Sequence, residues 1–156
     1  TFQFTNNSSG DYTACEWDFG DGTPKVTDCA PQHQYASTGA YQACLSLTGP
    51  GGEDQSCVNL SIPEVEANFS ADRVSGPAPL LVNFIQLSSN GFQYLWDFGD
   101  GGTSDSPQPV HVYEQPGAYT VTLTAKGYGG EDTLTMEDFI YVGLGRFRLY
   151  VPMLTR

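Results

Sequence analysis

The hexapeptide Trp-Asp-Phe-Gly-Asp-Gly occurs twice in this chain, at residues 17–22 and again at 96–101. The match runs well past those six residues. His33-Gln34-Tyr35 is answered by His111-Val112-Tyr113, Gly39-Ala40-Tyr41 by Gly117-Ala118-Tyr119, and Gly51-Gly52-Glu53-Asp54 by Gly129-Gly130-Glu131-Asp132. The two tryptophans are 79 residues apart and the later landmarks 78, so the chain holds two units of one design that differ by a one-residue indel. A period this long is that of a small domain, not of a solenoid turn.

Each unit reads as strands. Tyr119, Val121, Leu123 and Ala125 alternate with Thr120, Thr122 and Thr124, and Tyr41, Ala43, Leu45 and Leu47 alternate with Gln42, Cys44, Ser46 and Thr48. That period of two fits a sheet with one face buried. The Gly-Pro-Gly-Gly and Gly-Tyr-Gly-Gly runs that follow are hairpin turns, and Phe-Gly-Asp-Gly is a turn after a Trp-bearing strand. With 18 Gly, 10 Pro and only 15% charged residues, the composition suits short strands and tight turns. The predicted class is all-β, as two antiparallel sandwiches.

Trp-Asp-Phe-Gly-Asp-Gly, then His-x-Tyr, then Gly-x-Tyr-x-Val-x-Leu resembles the PKD (polycystic kidney disease) domain, an immunoglobulin-like sandwich. The resemblance covers nearly all of the second unit, from about Pro63 to Val142, and the first unit from its second strand onward. It implies non-catalytic modules of extracellular proteins, used as spacers or for adhesion and interaction. The resulting division is an incomplete PKD-like domain at 1–62, a PKD-like domain at 63–143 and an extension at 144–156.

The first unit lacks a piece that the second has. Val65–Asp72 resembles the family's first strand and Leu80–Phe84 its second, whereas Phe2 and Phe4 align with Val82 and Phe84 and nothing precedes them. A sandwich short of a strand has an open edge and an uncovered slot of core. At the other end, Phe147, Leu149, Val151 and Met153 alternate with Arg146, Arg148, Tyr150 and Pro152, which is strand periodicity. Pro152 suits an edge strand or a strand end. The tail holds Arg146, Arg148 and Arg156, half of the six basic residues, so the rest of the chain carries −15 against a total of −12. A cationic apolar strand on an anionic body suits strand donation: Phe147, Leu149, Val151 and Met153, with Arg146 and Arg148, would complete the edge at Phe2 and Phe4 in another copy. A head-to-tail contact that does not close generates a filament. Two other readings stay open: a piece cut from a longer array, consistent with the absence of an initiator Met, and a tail that folds back on its own subunit.

Cys15, Cys29, Cys44 and Cys57 all lie in the first unit, and an even count reads as two disulfides in an oxidising compartment. Residues 44 and 57 are equidistant from the Pro50-Gly51 turn, and 15 and 29 flank the Asp21-Gly22 turn, which favours Cys15–Cys29 and Cys44–Cys57. A zinc site lacks its C-x₂-C spacing. Sequons stand at Asn6, Asn7, Asn59 and Asn68, as expected of a secreted, glycosylated surface.

Asp18, Asp21, Asp97 and Asp100 are weak Ca²⁺ candidates, because their spacing is not that of an EF-hand and turn capping explains them. His33 and His111 read as structural hydrogen-bonding residues, Trp17 and Trp96 as buried strand residues. No nucleophile elbow or readable triad is present, so no enzyme is expected. The strong negative charge argues against nucleic acid, and no apolar run is long enough to span a bilayer. The leading expectation is an extracellular structural subunit that polymerises with itself and needs no cofactor. The alternative is a spacer region, or one that binds polysaccharide or a surface protein, in a larger secreted adhesin or hydrolase.

Overall fold

The computed structural model of the chain describes residues 1–143. The extension predicted at 144–156, with every donor position from Arg146 to Met153, lies outside the described residues. The described chain is strand and turn without helix. It forms two compact units, one of Thr1–Val65 with Lys126–Glu131, the other of Glu66–Ala125 with the residues from Asp132 onward. That division falls three residues later than the one expected from sequence. It also groups the tip of the last hairpin with the first unit.

The second unit has strands β6 (Phe69–Ala71), β7 (Ser75–Pro77), β8 (Leu80–Gln86), β9 (Gly91–Asp97), β10 (Thr103–Ser104), β11 (Val110–Tyr113), β12 (Gly117–Gly127) and β13 (Gly130–Gly143). One sheet has the order β11-β8-β6, the other β10-β9-β12-β13-β7. The alternation read in β12 sends Val121, Leu123 and Ala125 inward, all fully buried. Outward, Thr122 and Thr124 meet Thr135 and Thr133 of β13 at 3.0 and 2.9 Å. Asp138 interrupts the alternation of β13 with a φ of 47°, after which Ile140 and Val142 return to the core. Beyond that irregularity β13 pairs in parallel with β7, Tyr141 opposite Ser75 and Gly143 opposite Pro77.

The first unit has β1 (Phe2–Gln3), β2 (Ala14–Asp18), β3 (Gln32–His33), β4 (Gly39–Gly49) and β5 (Gly52–Ile62), in sheets β1-β3 and β2-β4-β5. Each has a counterpart in the second unit. Phe2 pairs with His33 as Val82 pairs with His111, and Phe4 N–H donates to the Pro31 carbonyl as Phe84 N–H does to that of Pro109. The expected alignment of Phe2 with Val82 is therefore the structural one. Nothing among the described residues of the first unit corresponds to β6 or β7. Its core has eight buried residues against eleven in the second unit, so it has less apolar burial to hold it together.

The Phe-Gly-Asp-Gly turn is built the same way in both units. Gly20 and Gly99 have φ of 73° and 80°, and a Cβ on either would collide with the backbone carbonyl of Gln42 or Thr120. Gly101 also has positive φ, but open space around it. Gly99→Ala should therefore destabilise the second unit by about 3 kcal/mol or more, adding a clash to the left-handed conformation. Gly101→Ala should cost only about 1–2 kcal/mol. Urea unfolding of the two variants measures the difference.

Candidate functional site

Behind each turn runs a column of rings. In the first unit Phe4 packs on Trp17 and Phe19 at 5.1 and 5.0 Å, His33 stacks on Phe19 at 3.8 Å, Tyr35 meets His33 edge-on at 4.8 Å, and Tyr41 stacks on Tyr35 at 4.3 Å. The second unit repeats the column with Phe84, Trp96, Phe98, His111, Tyr113 and Tyr119 at nearly the same spacings. Tyr35 and Tyr113 donate to the carbonyls of Phe19 and Phe98, both at 3.1 Å. Tyr41 and Tyr119 donate to carbonyls four residues upstream, a tether characteristic of immunoglobulin-like sandwiches.

The carboxylates weighed for calcium belong to this structure. Asp18 Oδ1 accepts from Gly20 N–H and Asp97 Oδ1 from Gly99 N–H, so both cap the turn. Asp21 Oδ1 accepts from Thr23, and Asp100 Oδ1 from Gly102 N–H. Their other oxygens lie 2.7 Å from Nε2 of His33 and His111. Among the described residues no group of three or more His, Cys, Asp or Glu is placed to hold a metal ion. Burial pushes the carboxyls of Asp21 and Asp100 up. Hydrogen bonds from Thr23 and His33 to the one, and from His111 and Gly102 to the other, outweigh it, so both titrate below their ordinary 3.8. Each half of these Asp–His pairs was legible as a structural residue. Their pairing was not, although both motifs recur together in the two units.

The two units part company at the tryptophan. In the second, Phe69 of β6 lies edge-on against Trp96 at 5.2 Å and against Phe139 at 5.4 Å. Among the described residues no such ring lies on Trp17 in the first unit. In its place is an open groove of about 360 Å³, lined by Trp17, Ala43, Leu45, Ser56 and Val58, with Thr5, Asn7 and Ser8 along one side and Cys57 beside it. By the 78-residue step, Ala43, Ser56 and Val58 stand where the second unit has Val121, Leu134 and Met136. All three replacements are smaller or more polar, so the first unit does not fill its slot from within. Val58 remains 48% exposed on the core side of β5. Trp17 Nε1 is buried and has no acceptor among the described residues, whereas Trp96 Nε1 donates to the Ser106 carbonyl at 2.9 Å. Phe2 and Phe4, expected at an acceptor edge, lie on and just past β1, whose only partner strand among the described residues is β3.

The disulfides are Cys15–Cys29 and Cys44–Cys57, the favoured pairing. Cys44 and Cys57 face each other across β4 and β5 where the second unit has its Thr122–Thr135 hydrogen bond. Of the sequons, Asn7, Asn59 and Asn68 are exposed. Asn6 is not available in this conformation, because the Nδ2 that would carry a glycan is buried. Trp17 and Trp96 are buried, as expected of strand tryptophans.

These features define tandem immunoglobulin-like sandwiches built on a shared ring column, one of them uncovered on one side. The PKD-domain family model matches residues 1–62 and 60–142, and the chain belongs to that family. Human polycystin-1 is 28% identical over 133 residues, 81% of this chain and 3% of polycystin-1. Collagenase ColQ1 of Bacillus cereus is 43% identical over 79 residues, 42% of this chain and 8% of the enzyme. The crystal structure of the PKD1 domain of Vibrio anguillarum Epp is similar at 30% identity and a TM-score of 0.44, covering 52% of this chain and 98% of that domain. The chain thus spans less than a tenth of the length of either of these two relatives.

The Asp–His pairs set an acid limit. A carboxylate whose pKa is lowered by folding contributes stability above its unfolded value, and that stability is lost as pH falls through the folded one. The urea midpoint should drop as pH is taken below about 4. In Asp100→Asn the second unit should start lower and lose less over that range. The disulfides set a redox limit. Each closes a loop of about 14 residues, worth about 3 kcal/mol. Reduction should lower the melting temperature of the first unit and leave the second unmoved, as read by calorimetry with and without reductant.

Proposed function

We propose that this chain is a non-catalytic, extracellular structural subunit that joins head-to-tail through strand donation. Residues 146–153 of one copy would occupy the uncovered side of the first unit in the next. The observation that carries this reading is the groove over Trp17, which takes the place of the β6 phenylalanine on Trp96 and is widened, not filled, by Ala43, Ser56 and Val58. A donated strand can satisfy the free edge of β1 with main-chain hydrogen bonds while alternate side chains enter the groove. The tail supplies Phe147, Leu149, Val151 and Met153 at alternate positions. Its three arginines are drawn to a body of charge −15, which speeds encounter more than it adds affinity. The two disulfides stabilise the unit that awaits its partner, and they suit an oxidising compartment.

A second reading rests on the comparisons. The relatives are far longer than this chain, as a spacer or ligand-binding region within a larger secreted protein would require. That reading expects a monodisperse monomer at every concentration.

Deleting residues 146–156 should leave soluble monomers that can still accept a strand. Ser56→Leu with Val58→Met, which puts the second unit's side chains into the groove, should give chains that donate but no longer accept. Neither variant alone should form filaments in negative-stain images, and an equimolar mixture should sediment as dimers. Filaments formed by the deletion variant would overturn the proposal.

A further inference from the structure

The second unit carries an apolar surface that its fold does not require. On the outer face of the β8–β11 pair, Leu81 is 47% exposed, Ile85 39%, Val110 58% and Val112 38%. Leu81 and Val112 are directly opposed across the two strands, as are Asn83 and Val110. The first unit is a built-in control. The pairing of Phe2 with His33, matching that of Val82 with His111, puts Thr1 and Thr5 at the positions of Leu81 and Ile85, and Gln32 and Gln34 at those of Val110 and Val112. All four are exposed and polar. The same sheet face is therefore polar in one unit and aliphatic in the other. Contiguous exposed aliphatic surface of this kind marks an interaction site.

We infer that this face is a contact between subunits, docking against the first unit of the copy that receives the tail. The inference rests on strand donation as the mode of assembly, and three observations select the occupant. The first is where the described chain ends. The Gly143 carbonyl accepts from Ala78 N–H at 3.1 Å, just before β8 begins at Leu80. Gly143, the last described residue, therefore lies near the start of β8, the end of that strand at which Leu81 and Val112 are paired. The second is the tether. Only Leu144 and Gly145 separate Gly143 from the donor segment, a reach of about 7 Å per two extended residues. A first unit that holds residues 146–153 is thereby brought against the surface around Leu81. The third is charge. The face positions 81, 83, 85, 110 and 112 carry no charge in a chain with 18 acidic residues, and the carboxylate that borders them, Asp72 on the Asn83 side chain, is paired with Arg73, so two anionic copies meet little repulsion here.

The test transplants the first unit's residues onto the second: Leu81→Thr, Ile85→Thr, Val110→Gln and Val112→Gln in the 156-residue chain. These residues already serve at the same positions of the same fold, and the second unit should melt within a few degrees of the parent. The critical concentration for assembly should rise about tenfold or more. An unchanged critical concentration would overturn the inference and leave donation standing. A synthetic peptide of residues 144–156, added to the chain lacking its tail, separates the two ideas. Equal peptide affinity for the parent and the fourfold variant, with assembly weakened only in the variant, supports the face as a second contact. If the peptide binds neither, donation falls and this inference falls with it, whatever the fourfold change does to assembly. Should the fourfold variant fold poorly, a photo-crosslinking residue in place of Val112 gives the answer: crosslinks to residues 1–62 of a second copy support the contact, and crosslinks within one chain overturn it.

Discussion

A tryptophan at the centre of a small sandwich has to be covered on every side, and the two units meet that demand differently. Trp96 has Phe84 and Phe98 on one flank and Phe69 on the other, with its Nε1 bonded to a carbonyl. Among the described residues, Trp17 has Phe4 and Phe19 in the matching places, a groove where the third ring would be, and no acceptor for its Nε1. Leaving an indole beside open space forfeits both dispersion contacts and apolar burial. The groove and the functional reading both follow from the absence, among the described residues, of a counterpart to β6 beside Trp17, which itself stays 6% exposed.

The repeat makes each unit the reference for the other. Where the two agree, in the ring column, the Asp–His pairs, the tyrosine tethers and the turn glycines, the shared features are requirements of the fold. Where they differ, the fold tolerates both answers, and the difference needs a cause outside it. The groove lining is one such difference and the outer face of β8 and β11 is another. Cys44 and Cys57 are a third: they occupy a site that Thr122 and Thr135 fill with a hydrogen bond, so the fold does not itself require a covalent link there.

Much of the architecture could be read directly. The period of two in β4 and β12, the hairpin centre at Pro50-Gly51 and the matched landmarks led to the strands, the disulfide pairing and the alignment of Phe2 with Val82. Three features could not be reached in that way. The left-handed Asp138 in β13 breaks the inward set of Leu134, Met136, Ile140 and Val142 without a glycine to mark it. The parallel pairing of β13 with β7 joins residues more than 60 apart. The apolar face of the second unit is not legible in a linear pattern, because Leu81, Ile85, Val110 and Val112 alternate with core residues in strands distant in sequence.

Sequence alone determined what is local or repeated: the turns, the strand faces, the cysteine register and the family motif. These depend on backbone geometry and near neighbours, which a linear pattern records. Tertiary structure alone decided which side chains meet across the sandwich: that His33 reaches Asp21 and His111 reaches Asp100, that Phe69 covers Trp96, and that Trp17 borders open space. Those outcomes are set by packing between strands far apart in the chain. A missing neighbour shows in the sequence only by comparison with the other unit, as Ala43, Ser56 and Val58 do against Val121, Leu134 and Met136.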